Sequence, residues 1–383
     1  MPVVWLNRLW YPLTLSLLQF QAQKESSPIL IPLFEHFILH FAKNLNSLKL
    51  VELGVATARE FADPSTSLPF LQTLVPLLPT PPQEKAPEAY VLLTISGAHY
   101  SLLLGDLDAT KKQIDECMTI LDGLSGGKEG ADVGVRGAVY RVAGDYYKVL
   151  SLSCASHFPL CCAKSDYVLY YRTSLLFLSC LPKPLSSSPI PREELVGRAH
   201  DLSISALLGE SVYNFGELLL HPILSYLEGT NHDWLRQLLF AFNEGSIGKF
   251  ETLAPYLERE PILQESYSFL RQKICLMSLL ESVFNRSSSQ RSNMSFMDIA
   301  SETGLPGDEV EHLVMKSLSL GLIKGTIDQV DMKVKVSWLQ PRVLGKREIG
   351  EIKRRLGEWE EGIGRVEKSL QSGKEGQVAE VGA

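Results

Sequence analysis

Two groups of residues in this sequence have the side chains that chemistry needs. His36 and His40 stand four positions apart, the spacing at which two imidazoles share one face of a helix and can both reach a metal ion. A zinc protease built on such a pair needs Glu directly after the first His as its base. Phe37 stands there instead, and Glu35 comes before it. Phe34, Phe37, Leu39 and Phe41 surround the pair, so an amphipathic core helix accounts for it. His157 with Cys161-Cys162 holds the parts of a thiol–imidazole nucleophile. No Asp or Asn in a recognisable motif orients the imidazole, and buried structural cysteine is the simpler reading.

The wider inventory points the same way. Cys117, Cys154, Cys161, Cys162, Cys180 and Cys275 are scattered and form no Cys-x-x-Cys pair, which argues against a zinc site or a disulfide framework and for thiols in a reducing compartment. There is no phosphate-binding P-loop, no dinucleotide glycine fingerprint and no His-x-His pair. The expectation is a chain with no catalytic residue, no cofactor and no metal.

What these residues lack in chemistry they supply in packing. The 383 residues are 45% hydrophobic and 21% charged, with a formal net charge of -7. That describes a folded protein with more than one core, and a poor candidate for wrapping nucleic acid. Met1–Phe20 is apolar, but Arg8 and Pro12 interrupt it and no small-residue cleavage site follows. It reads as an amphipathic first helix rather than a leader. With no membrane-length apolar run, the expected location is the cytoplasm and nucleus.

Helical periodicity dominates residues 5–280. Leu9, Leu13, Leu17 and Phe20 form one stripe, and Leu30, Phe34, Phe37, Ile38 and Phe41 another. Residues 62–89, with Pro64, Pro69, Pro76, Pro79, Pro81, Pro82 and Pro87, read as a loop or irregular connection. Gly97-Ala98-His99-Tyr100 with Gly105-Asp106 is echoed forty positions later by Gly137-Ala138-Val139-Tyr140 with Gly144-Asp145. That period suits a helix-turn-helix repeat in which Gly ends one helix and Asp caps the next. Unrelated helix pairs in an irregular α domain fit as well. Either way the product is a stack of helix pairs whose faces suit protein partners.

After residue 285 the pattern changes. Ser295 opens a short helix, Glu302–Gly307 is a turn, and Asp308 is expected to cap a helix burying Val310, Leu313, Val314, Leu318 and Leu320, which Gly321 stops. Leu322–Ile327 and the alternating Met332, Val334, Val336 and Trp338 then form a hairpin. This order is a winged-helix module. Such modules often read DNA through the second helix. Here residues 295–340 carry four basic side chains (Lys316, Lys324, Lys333, Lys335) against seven acidic ones (Asp298, Glu302, Asp308, Glu309, Glu311, Asp328, Asp331), and four minus seven is -3. That field repels phosphate.

The closing helix places Ile349, Ile352, Leu356, Trp359, Ile363, Val366 and Leu370 in alternating steps of three and four, an a/d heptad seam. Gly357, Gly362 and Gly364 weaken it, and a lone helix of this size is marginal in water. It needs cover, either from its own repeats or, as we expect, from helices of other chains in a multi-helix bundle. The expected organisation is mainly α: helical TPR/HEAT-like repeats over 1–195, further helices over 196–284, a winged helix over 285–344, a bundle helix over 345–372 and a disordered tail over 373–383. A Ser/Pro-rich surface insertion is expected at 182–191.

Helical repeats running into a winged helix and a terminal helix is the layout of PCI-domain proteins, the scaffold subunits of the proteasome lid, the signalosome and a translation-initiation complex. Three runs resemble the non-ATPase regulatory subunit thirteen family of the proteasome lid: Tyr213–Leu224, Trp234–Phe250 with Leu239-Phe240-Ala241-Phe242-Asn243, and Trp338–Leu344. With Ile274–Ala300, the resemblance covers most of residues 200–345, whereas 1–195 resembles the family only in helical character. It implies a non-catalytic subunit of a hetero-oligomer. Winged helices of this family pack side by side through their wing edges, here marked by Lys333 and Lys335, and terminal helices gather in one bundle. The implied partners are PCI and MPN-type lid subunits, with no nucleic acid and no membrane. The alternatives are a signalosome or translation-initiation scaffold, or a nucleic-acid-associated winged-helix factor.

Overall fold

The computed structural model describes residues 10–21, 23, 27–125, 131–157, 161–182, 190–286, 288–291, 293–340, 349–350, 352–354, 356–365 and 367. In chain order the longer helices are α1 (Trp10–Gln21), α2 (Ser27–His36), α3 (Ser47–Ala58), α4 (Pro64–Leu74), α5 (Pro87–Leu103), α6 (Leu107–Ser125), α7 (Val133–His157), α8 (Cys161–Cys180), α9 (Arg192–Leu208), α10 (Asp233–Glu244), α11 (Ile247–Leu253), α12 (Tyr267–Asn285), α13 (Phe296–Thr303) and α14 (Gly307–Ser319). Three strands complete the fold: β1 (Met294–Ser295), β2 (Ile323–Asp328) and β3 (Lys333–Leu339). The chain is mainly α, a helical solenoid followed by a winged-helix module. It divides into two compact units.

The first unit comprises 1–212, 222–236 and 254–270. Successive helices pack on one another from α3 to α9, and two apolar clusters fill the layers between them. One gathers Leu13, Leu17, Phe34, Phe41 and Leu50, the other Val91, Ile95, Ile114, Val139 and Tyr146. Gly105, at φ +85, ends α5 and the Asp106 carboxylate accepts from the Ala109 N–H at 3.1 Å, as the Gly-Asp signal requires.

The echo of that signal fails. Gly144-Asp145 lies in the middle of the 25-residue α7 and turns nothing. A Cβ on Gly144 would make only ordinary contacts with α8, 3.7 Å from Ser174 Oγ and 4.0 Å from Tyr170, so this glycine marks neither a turn nor an enforced close approach. The proline-rich stretch also departs from expectation. Pro64 and Pro87 open α4 and α5 at the first turn, where no N–H is needed. Pro69 is carried inside α4.

The second unit comprises 213–221, 237–253 and 271–383. Phe215, Phe242 and Phe250 are fully buried in a chain of edge-on ring contacts. Gly245, at φ +63, turns α10 into α11 so tightly that a Cβ would meet the Ser278 backbone at 2.8 Å. The α12 face of Ile274, Met277, Leu279, Leu280 and Val283 is buried, and the Ser278 hydroxyl reaches the Glu302 carbonyl of the winged helix at 3.3 Å.

Candidate functional site

In the winged helix, the Ser295 hydroxyl caps α13 by accepting from the Asp298 N–H at 3.1 Å, and Gly304 ends it in the left-handed conformation. The cap of α14 is Pro306, not Asp308; Asp308 and Glu309 follow in the first turn, where the helix dipole favours them. Val310, Leu313 and Val314 are buried as expected. Leu320 is exposed, because α14 ends at Ser319 and Gly321 (φ +69) turns the chain at once.

The wing is a three-stranded antiparallel sheet in the order β1-β3-β2. The Asp328 carboxylate accepts from the N–H groups of Val330 and Asp331, both at 3.1 Å, and shapes its tip. Val334 and Val336 point inward. The alternation then breaks: a register shift at Lys324/Gly325 leaves Trp338 facing out, under the Lys324 ammonium at 4.8 Å, and Met332 at φ 53 is exposed. Gly325 permits the shift, since a Cβ there would stand 2.2 Å from the Lys335 carbonyl oxygen.

Lys333 and Lys335 both have exposed side chains. β1 pairs with β3 at Val334 and Lys333, and among the described residues no strand pairs with that side of β3 beyond Val334. The outer edge of the sheet is β2. Val330 at the wing tip is 94% exposed.

The described residues of 349–367 are helical. Ile349, Ile352, Leu356, Trp359 and Ile363 are all exposed, Trp359 at 69%. Val366 and Leu370 lie outside the described residues, as do the segment 183–189 and the tail after 367.

His36 and His40 form no metal-ligand pair. α2 ends at His36, Phe37 has non-helical backbone, and His40 sits in a separate 3-10 helix, so the two exposed imidazoles share no helix face. The His157, Cys161 and Cys162 side chains lie outside the described residues. Burial pushes the Cys117 thiol up to about 12, which makes it inert. Gly123-Leu124-Ser125-Gly126-Gly127 matches the spelling of a nucleophile elbow, but Ser125 ends a helix and does not follow a strand. Among the described residues, no helix is long and apolar enough to cross a membrane.

Two features escaped the sequence. Lys273 is buried against the rings of Tyr213 and Phe215, at 5.4 and 5.3 Å, and desolvation drives its ammonium well below the usual lysine range. Within the first unit, His200, His232 and Glu260 converge in an arrangement able to hold a metal ion. Their separations in sequence match no local motif.

Known proteins close the account. The family described as PSD13 N-terminal repeats matches residues 1–239, and the PCI domain family matches residues 253–338. The N-terminal half therefore carries the family's own repeat pattern, not helical character alone. The probable 26S proteasome regulatory subunit rpn9 of Schizosaccharomyces pombe is 38% identical over 93% of this chain and 86% of its own length. The 26S proteasome regulatory subunit RPN9 of Saccharomyces cerevisiae is 36% identical over 96% and 90%. The 26S proteasome non-ATPase regulatory subunit 13 homolog B of Arabidopsis thaliana is 34% identical over 92% and 87%. With repeats, winged helix and these relatives in agreement along nearly its whole length, the chain belongs to the family of 26S proteasome regulatory subunits that join PSD13 N-terminal repeats to a PCI domain.

Proposed function

We propose that this chain is a non-catalytic scaffold subunit of the proteasome regulatory-particle lid, required for lid assembly and so for ubiquitin-dependent protein degradation in cytoplasm and nucleus. One observation carries the reading: a row of five apolar side chains, Ile349, Ile352, Leu356, Trp359 and Ile363, stands exposed along the closing helix. Such a row in water is unfavourable by roughly 25 cal/mol for each Å² of apolar surface that partner helices could cover, and a heptad seam is the pattern that other helices cover best. Val366 and Leu370 extend the same seam in sequence.

The winged helix supplies a second contact, lateral and weaker. Its outer β2 strand and exposed Val330, Lys333 and Lys335 fit edge-on pairing with a neighbouring subunit. Its charge balance of four minus seven, or -3, disfavours nucleic acid. We assign the repeats to 1–195, the remaining PCI helices to 196–284, the winged helix to 285–344 and the bundle helix to 345–372. Affinity purification of the tagged full chain with mass spectrometry tests the reading. Stoichiometric PCI and MPN-type lid subunits are the expected companions. Signalosome or initiation-factor subunits in their place, or nucleic acid with no lid protein, would overturn it.

A further inference from the structure

We propose that His200, His232 and Glu260 form a binding site for one divalent transition-metal ion, with zinc the species the donor set suits. One ligating atom from each side chain lies within 4.8 Å of the other two. His200 Nε2 stands 2.9 Å from a Glu260 oxygen, and the two imidazoles meet edge to face with ring centroids 4.5 Å apart. Tetrahedral zinc holds nitrogen and carboxylate ligands at about 2.0–2.2 Å, which sets them a little over 3 Å from one another. From separations within 4.8 Å, reaching that spacing asks each atom to move by no more than about 1–2 Å. Two imidazoles and one carboxylate leave a fourth position for water, and two nitrogen donors select zinc-like ions over calcium or magnesium.

The surroundings match a ligand site in a further respect. The other ring nitrogen of His200 faces the Asp201 carboxylate at 3.4 Å, and Asp201 is held by the Lys148 ammonium. A carboxylate behind an imidazole fixes the tautomer that presents Nε2 to a metal. The side chains of His200 and Glu260 are about one-fifth exposed, at 19% and 20%, so an ion could enter yet be shielded.

The three ligands also come from the three separate stretches that make up the first unit: His200 from 1–212, His232 from 222–236 and Glu260 from 254–270. His232 sits in the turn before α10, where its N–H approaches Thr230 Oγ1 at 3.4 Å, and Glu260 directly precedes the short helix Pro261–Glu265. A bound ion would pin these stretches to α9 and close the long loops between them, the situation in which a cross-link constrains the unfolded chain most.

The test uses the full-length chain freed of metal by chelation. Titration calorimetry with zinc should show one equivalent bound, with a rise in thermal midpoint that chelator reverses. Cobalt(II) should give ligand-field absorption without the charge-transfer band of a thiolate. His232→Ala and Glu260→Gln should each abolish that equivalent, and Asp201→Asn should weaken it about 10- to 100-fold. Glu260→Gln keeps an acceptor beside His200, so the metal-free variant should still fold and give a cooperative melt. No saturable equivalent, a thiolate band, or retention of the equivalent in either ligand variant would overturn the site and leave a hydrogen-bonded His–Glu pair.

Discussion

Replacing Trp359 with Asp separates a surface that awaits partners from one that packs on its own chain. Trp359 is 69% exposed in the isolated subunit, so the change removes little buried area and should alter the free chain's stability by no more than about 0.5 kcal/mol. In a helix bundle the same position is covered. A buried large apolar side chain is then worth about 1.5–3 kcal/mol, and a carboxylate in its place adds a desolvation cost of at least ~2 kcal/mol. The sum, about 4 kcal/mol, corresponds to roughly a thousandfold loss of association. The assay pairs a thermal melt of purified Trp359→Asp with quantitative recovery of lid subunits on the tagged variant. Glu361→Ala, on the face of the helix opposite the seam, is the control and should behave as the parent chain. Recovery of lid subunits at the parental level would refute the reasoning. So would a loss of several kcal/mol in the free chain, which would mean that the seam packs against its own polypeptide.

Two further outcomes test the packing of the second unit. Gly245→Ala and Gly304→Ala impose the same backbone strain, both at φ +63, but only at Gly245 does the new Cβ meet backbone atoms, at 2.8 and 2.9 Å from Ser278. Urea unfolding should show a loss of about 1 kcal/mol at Gly304 and about 2–4 kcal/mol at Gly245; equal losses would contradict the close approach of α11's turn to α12. Lys273 holds its proton less tightly folded than unfolded, so stability rises with pH from the lowered folded value up to the ordinary lysine value, by at most about 1.4 kcal/mol per pH unit. Lys273→Met should flatten that rise below the ordinary lysine value, and parallel slopes for the two chains would refute the assignment.

The winged helix was legible because its signals are local. A serine accepting from the backbone three residues on, glycines at Gly304 and Gly321 where φ is positive, and two alternating valines each fix their own neighbourhood. β1 was not legible: Met294 and Ser295 make a strand only because β3 lies beside them, and two residues carry no periodicity. The prolines of 62–89 misled for a related reason. Proline excludes the interior of a helix far more than its first turn, and Pro64 and Pro87 use the first turn. Gly144-Asp145 repeats the letters of Gly105-Asp106, but it lies inside α7, which runs on well past it on both sides.

The same division explains which candidate residues could be read. An exposed seam is a property of one helix, so Ile349, Ile352, Leu356, Trp359 and Ile363 were visible from spacing alone. What would cover them is not written in that spacing. A ligand set in a stack of helices is the opposite case. Neighbouring side chains diverge around the helix axis, and those that converge come from distant turns. His36 and His40 had the right interval and are parted by the break at Phe37. His200, His232 and Glu260 had no interval to notice and are brought within 4.8 Å. In this architecture, then, spacing reveals an exposed apolar row, while a ligand set assembled from distant turns leaves no interval to read, and a missing Cys-x-x-Cys or paired-His motif weighs only against a local site.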